Sequence, residues 1–299
     1  MKIKVASAQY PISRHSSIND WKEHTELWVK SAVNQSADLL VFPEYGSMEL
    51  VSILSEEIQK DLHVQIDKMQ SFLPEFIETY KELATRYNVI IVAPSFPVKS
   101  NVNYFNRAYV FKPKGLAGFQ DKFFMTRFEN EEWGIHSAPK KLTIFEADWG
   151  KFGIQICYDS EFTIGTHHLS GHGIDLLLVP SCTETIRGAT RVHIGTRARA
   201  MEQQIYAVVS QTVGNADWSP AVDINYGYIG FYSTPDKNLP EEGIISLGKP
   251  QEEKWYIEEL NFDLIKTVRE DGQVFNFKDH RNLISTFKSE SIEIEHVKI

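Results

Sequence analysis

The chain has 299 residues, 42% of them hydrophobic, which is enough for a substantial buried core. Lysines and arginines number 31 against 40 aspartates and glutamates, and the resulting charge of −9 argues against nucleic acid or an anionic membrane surface as main partner. No apolar stretch approaches the length of a membrane helix, and Ser7, Gln9 and Pro11 interrupt the N-terminal apolar run, so it does not read as a signal peptide.

Ile3–Ala8 reads as the first strand. From Ile18 to about Gln35, Trp21, Thr25, Trp28 and Ala32 recur at helical spacing, with Asn19 or Asp20 as N-cap. Asp38–Phe42 is the next strand and delivers Glu44. Leu62 to Arg86 predicts helix broken near Pro74, and Asn88–Ala93 is a nearly all-apolar buried strand. Tyr104–Phe111 and Leu116–Gln120, joined by Lys112-Pro113-Lys114-Gly115, form a hairpin ending on Lys122. A second hairpin, Leu142–Phe145 with Lys151–Ile156, turns at Asp148-Trp149-Gly150 and ends on Cys157. A helix is expected to begin near Ser160. Asp175–Val179 is a short buried strand, Ala189 to about Gln204 a helix, and Ile205–Gln211 another strand. Strands near Tyr228–Tyr232 and Trp255–Leu260 finish the sheet. Strands alternating with helices give the fold class α/β. No internal repeat, low-complexity run or linker divides the chain. One domain is expected over residues 1–270, and a tail, 271–299, packing on it or at a subunit interface.

Three strand ends carry chemistry. The run Gly153-Ile154-Gln155-Ile156-Cys157-Tyr158-Asp159 climbs to a cysteine and turns polar at once, so the thiol stands at a strand-to-helix corner near backbone N–H groups. Leu40-Val41-Phe42-Pro43-Glu44 ends on a candidate base, and Asp121-Lys122 offers a cation. A free thiol is mostly protonated at neutral pH, so it needs such partners to attack a carbonyl or nitrile carbon. Two cysteines in a chain this size fit a reducing compartment, and cytoplasm is the default.

In this order, Phe42-Pro43-Glu44, Asp121-Lys122 and Ile156-Cys157-Tyr158-Asp159 resemble the motifs of the nitrilase (carbon–nitrogen hydrolase) superfamily, over roughly residues 3 to 265. The resemblance extends to Asp175–Ser181 and Arg197-Ala198-Arg199-Ala200-Met201-Glu202. It implies a four-layer α-β-β-α sandwich, pairing of subunits as a homodimer or larger homo-oligomer, and a Glu44–Lys122–Cys157 triad without cofactor. Glu44 would serve as base and acid, while Lys122 and the Tyr158 N–H would face the oxyanion. Many relatives carry a second glutamate between the lysine and the cysteine. The spacing Lys122, Thr126, Glu129, Trp133-Gly134 favours Glu129 over Glu131 and Glu132. Two departures stand out: His136-Ser137-Ala138-Pro139 replaces a Pro-Gly pair, and Glu202-Gln203 replaces Glu-Asn.

The substrate implied is a small amide or N-carbamoyl compound, with nitrile hydrolysis, acyl transfer to an amine and a non-catalytic scaffold as rivals. Pro180–Gly188, which includes Thr183 and Arg187, should lie beside the nucleophile. Arg187 or Arg191 could pair with a substrate carboxylate. Glu161 could select a cationic group or cap the following helix, and Tyr45, Tyr158 and Trp133 could form apolar walls. Cys182 reads as a small apolar residue near the site mouth. Thr166-His167-His168 and His172 lack regular ligand spacing, so no metal is expected.

Overall fold

The computed structural model describes residues 1–289 and 293–297; the remaining positions of the expected tail, 290–292 and 298–299, lie outside the described residues. Among the described residues, fourteen strands join into one curled sheet. The first layer draws on β1 (Lys2–Pro11), β2 (Leu39–Val41), β3 (Ile90–Val92), β4 (Phe96–Ser100), β5 (Asn103–Lys112) and β6 (Gly115–Asp121). The second draws on β7 (Ile144–Ala147), β8 (Gly150–Ile154), β9 (Leu176–Ser181), β10 (Tyr206–Asn215), β11 (Ile224–Asn225), β12 (Gly230–Tyr232) and β13 (Ile244–Leu247). The last strand, β14 (Lys254–Asn261), returns to β1.

The spatial order β4-β5-β3-β2-β1-β10-β9-β8-β7 folds over where β1 meets β10. These two strands pair only at their C-terminal ends, from Gln9–Gln211 to Pro11–Val213. Before that point β14 takes the free edge of β1 and β12 that of β10, so the strands part into two layers. The hydroxyls of Ser7 and Ser210 reach across the parting, to Val209 O at 2.7 Å and Ala8 O at 2.9 Å.

Period-two alternation explains the layering. In β1 and β2, Ile3, Val5, Leu39 and Val41 enter the core between the sheets, together with Leu177, Ile154 and Phe231. Ala6, Ala8, Tyr10, Leu40 and Phe42 face the other way, into an aromatic core with Trp21, Phe76, Tyr80 and Phe96. That core packs the helices Ile18–Val33 and Leu73–Arg86 onto the first layer, and each fully buried large side chain contributes about 1.5–3 kcal/mol. Helices Thr163–Gly171 and Ile186–Gln203 cover the second layer, which completes the α-β-β-α sandwich.

Local chemistry moves several boundaries. The first helix is capped by Ser17, whose hydroxyl accepts from Asp20 N, and not by Asn19 or Asp20. Ser17 is extended while Asp20 already lies in the first turn, where its carboxylate suits the dipole and accepts from Ser16 N. The break near Pro74 is a 3₁₀ turn, Gln70–Phe72, with Pro74 in the opening turn of the next helix. No helix starts at Ser160; a 3₁₀ turn, Cys157–Glu161, precedes the helix from Thr163. Beyond residue 261, helices Phe262–Asp271 and Asn276–Ser289 follow. They tie back through Arg269 to Asp175 (3.0 Å) and Arg281 to Ser170 O (2.8 Å).

Candidate active site

The parallel pairings make β1, β2, β3, β8, β9 and β10 run one way, and β6 joins them because it is antiparallel to β5, itself antiparallel to β3. The segments after β2, β6, β8 and β9 therefore emerge on one side, the usual place for a site in open α/β sheets. They carry Glu44, Lys122, Cys157 and Cys182.

Each strand end is held by backbone bonds that continue its ladder. Phe42 N donates to Val92 O and Ser95 N to Pro43 O. The next residue, Tyr45, takes a left-handed φ of 54° and donates its N–H to Ser95 Oγ. Lys122 N donates to Asn106 O, one step past the β5–β6 hairpin. The half-buried Arg107–Asp121 pair, bidentate at 2.7 and 2.9 Å, fixes that hairpin end. Cys157 has φ 48°, a strained value for a residue with a Cβ, of a kind concentrated at functional turns.

The side chains converge. Lys122 Nζ donates to Glu129 Oε2 at 2.6 Å and to Glu44 Oε1 at 2.8 Å. The Cys157 thiol donates to Cys182 O at 3.8 Å, and Glu44 stands close enough for its charge to act on the sulfur. All four side chains are buried, with Cys157 retaining 5% of its surface and Glu44 and Lys122 1% each.

The two carboxylates differ in what they receive. Glu129 accepts from Lys122, the Tyr45 hydroxyl (2.8 Å), Asn106 (3.2 Å), and Thr126 through both N (2.9 Å) and Oγ1 (3.0 Å). Glu44 accepts from Lys122, Asn106 (2.8 Å) and Cys182 N (2.8 Å). Burial pushes Glu129 up, but the Lys122 charge and these hydrogen bonds outweigh it and hold its carboxyl below the ordinary value. Burial dominates at Glu44 and raises it despite Lys122, with the negative Glu129 adding to the rise. The surroundings thus favour the anion at Glu129 and ease protonation of Glu44. Burial alone would discharge Lys122; the two glutamates reverse that and raise it well above the usual lysine value. Burial and the Glu44 charge push the Cys157 thiol well up, which favours its protonated form.

Asp159 braces the corner. It is almost fully buried and accepts from Phe123 N, Phe124 N and Ile156 N, which links the segment after Lys122 to the residue before Cys157. Burial pushes its carboxyl up to about 7. Behind the corner, helix Ile186–Gln203 approaches so closely that a Cβ on Gly195 would lie 2.8 Å from Ser160 O.

Of the three acidic candidates, only Glu129 turns inward, as the N3 residue of a capping box with Thr126. Glu131 is exposed and pairs with Arg127, and Glu132 is exposed at the helix end. The loop that replaces the Pro-Gly pair runs against Lys122, with His136 N on Tyr104 O, Ala138 N on Lys122 O and Ser137 Oγ on Phe123 O. Tyr45 is buried and its hydroxyl is committed to Glu129, with the Trp133 ring edge-on at 5.2 Å. The Thr183 hydroxyl donates to Tyr226 O. Glu161 does not cap the following helix; Arg191 holds it at 3.2 Å. Arg187 is exposed in the first turn of helix Ile186–Gln203, and Tyr158 packs edge-on against Phe162. Cys182 contributes backbone as well as bulk: its N–H holds Glu44 and its carbonyl lies 3.8 Å from Cys157 Sγ. Asn106, Asp159 and the Cys182 N–H escaped the sequence reading.

The family model for carbon–nitrogen hydrolases matches residues 4–249. A probable hydrolase of Bacillus subtilis, YhcX, is 33% identical over 279 residues, covering 93% of this chain and 54% of the Bacillus protein. This chain thus spans about half the length of that relative. An omega-amidase of Danio rerio is 25% identical over 292 residues, 94% of this chain and 95% of its own. The crystal structure of a carbon–nitrogen hydrolase from Helicobacter pylori superposes with a TM-score of 0.77 at 15% identity, covering 97% of this chain and 99% of that one; at this identity the likeness is one of fold. Among the described residues no helix is long and apolar enough to cross a membrane.

Proposed function

The chain belongs to the carbon–nitrogen hydrolase family, and from that premise we propose that it hydrolyses a small-molecule amide or N-carbamoyl compound through a thioester on Cys157. The observation that carries the reading is the Lys122 ammonium held between Glu129 and Glu44, with the Cys157 thiol within reach of the Glu44 charge. As the sulfur attacks the carbonyl carbon, its proton passes to Glu44. The oxyanion forms toward the third Lys122 N–H and the Tyr158 backbone N–H, and one such donor is worth about 10²–10³ in rate. Glu44 then gives the proton to the departing nitrogen, and ammonia or an amine leaves. Water loses a proton to Glu44 as it attacks the thioester; the acid departs and the thiol regains its proton. Glu129 stays anionic throughout and holds Lys122 in place.

The similarity to an omega-amidase supports an amide over a nitrile. Arg191 is committed to Glu161, which leaves Arg187 as the candidate for a substrate carboxylate. Tyr45 and Trp133 supply ring surface, since the Tyr45 hydroxyl is engaged, and Thr183 closes the wall on the β9 side. Ile186, Ile194 and Met201 stand exposed on one face of helix Ile186–Gln203, which supports pairing with a second copy.

Ammonia release across ω-amides, N-carbamoyl acids and amines, and nitriles tests the reading. Turnover of one amide or carbamoyl group supports it. Turnover of nitriles alone would replace it with nitrile hydrolysis, and silence in water with turnover when hydroxylamine is added would replace it with acyl transfer.

A further inference from the structure

The C-terminal end of β1, the first helix and the 3₁₀ helix Gly46–Ile53 enclose a second cluster that the acyl chemistry does not use. His15 follows β1, His24 lies within the first helix, and Glu49 sits on the 3₁₀ helix. One potential ligand atom from each lies within 4.8 Å of the other two, and no other trio of His, Cys, Asp or Glu among the described residues is arranged this way. His15 is 4% exposed and Glu49 fully buried. The Nε2 atoms of His15 and His24 are both buried and neither makes a hydrogen bond among the described residues.

We propose that His15, His24 and Glu49 bind a divalent transition-metal ion of the zinc class. Two imidazoles and one carboxylate are a common donor set for such an ion, with a fourth position left for water. Ligands about 2.0–2.1 Å from a tetrahedral ion stand roughly 3.4 Å apart. His15 Nε2 and Glu49 Oε2 are 3.4 Å apart, and all three ligand atoms lie within 4.8 Å of one another, so binding needs only a small closure.

The surroundings suit a ligand set. Glu49 accepts from the Tyr10 hydroxyl (2.9 and 3.0 Å) and from Trp21 Nε1 (2.7 Å), which orient the carboxylate without neutralising it. Asp20 Oδ2, which accepts from Ser16 N and Oγ, stands 3.9 Å from His15 Nδ1 and adds negative charge near the cluster. His15 N donates to Ser52 Oγ at 2.8 Å, joining the histidine loop to the helix that bears Glu49. The ion would staple three segments next to the loop that carries Glu44. Its role is to hold structure, outside the proposed acyl-transfer steps.

The test uses full-length, chelator-stripped protein with Cys157→Ala, so that the active-site thiol cannot take the metal. Titration with Co²⁺ should give the visible absorption of a tetrahedral site, saturating at one ion per chain, and Zn²⁺ should displace it and raise the thermal midpoint. His24→Gln and His15→Gln, each checked for folding by circular dichroism, should weaken binding at least about 100-fold. A readout free of ligand substitutions is the Trp21 indole N–H resonance, identified by its loss in Trp21→Phe. Its donation to Glu49 places it beside the ion, so Co²⁺ should shift or broaden it. No saturable binding below about 100 µM, binding unchanged in both variants, or an unmoved Trp21 resonance would overturn the proposal.

Discussion

Asn106 Nδ2 lies 2.8 Å from Glu44 Oε1, and this neutral donor keeps the carboxylate oriented while adding no charge of its own. Its second N–H reaches Glu129 at 3.2 Å. Asn106→Asp would put a third carboxylate between two that already share one lysine. Added negative charge favours the protonated form of Glu44, so its pKa rises further and less of it is ionised at a given pH. The acid limb of kcat/KM should therefore move up by at least about one pH unit. An acid limb that stays in place would remove Glu44 as the titrating base.

Glu129 and Glu131 are two positions apart and face opposite environments. Glu129→Gln removes the anion that fixes Lys122, and kcat/KM should fall by about 10² or more. Glu131→Gln deletes only an exposed pair with Arg127 and should leave rates within about twofold. Steady-state kinetics on the two variants separates the roles, and equal losses would contradict the assignment.

Asp159 couples the corner to pH. Its carboxyl is raised from 3.8 to about 7, so the folded chain holds this proton where the unfolded chain has released it. Stability from this group is fully present below the unfolded value and declines as pH rises through the folded one, by at most about 1.4 kcal/mol per pH unit. Asp159→Asn cannot titrate. Denaturant unfolding at about pH 5 and about pH 8 should show wild type losing stability relative to the variant across that interval. A constant difference would mean that Asp159 stays charged throughout.

Gly195 is where the helix meets the catalytic corner. A methyl group there would meet Ser160 O at 2.8 Å and Glu161 Cα at 3.1 Å, backbone atoms that cannot rotate away. Gly195→Ala should cost about 1–3 kcal/mol in unfolding free energy. It should also lower kcat by at least about tenfold by displacing the turn that carries the nucleophile. Unchanged kcat would show that the corner is insulated from the helix behind it.

What was legible in the sequence follows from what is local. Glu44, Lys122 and Cys157 each sit just past an apolar strand, and Glu129 announces itself through the Thr126-x-x-Glu129 capping pattern. Asn106 and Cys182 could not be read in the same way. Asn106 lies 62 residues from Glu44 and Cys182 138, and only the sheet order brings them together. The Cys182 contribution is a backbone N–H, which no residue type advertises. Asp159 stood inside the cysteine motif, but its three N–H partners are supplied by the turn itself and by the segment after Lys122. His15, His24 and Glu49 lack ligand spacing along the chain, whereas the His167-His168 pair that attracted attention lies elsewhere. Strands such as β11, with two residues, are too short to carry a periodicity.

The central claim is a covalent acyl intermediate on Cys157. The most direct measurement is intact-protein mass spectrometry after rapid acid quench, with peptide mapping, on wild type and Cys157→Ala turning over the best amide found. The account predicts a mass increase equal to the acyl group on the peptide containing Cys157, with neither adduct nor ammonia from the variant. Ammonia release by Cys157→Ala at the wild-type rate, or an acyl group mapped to Cys182, would contradict it.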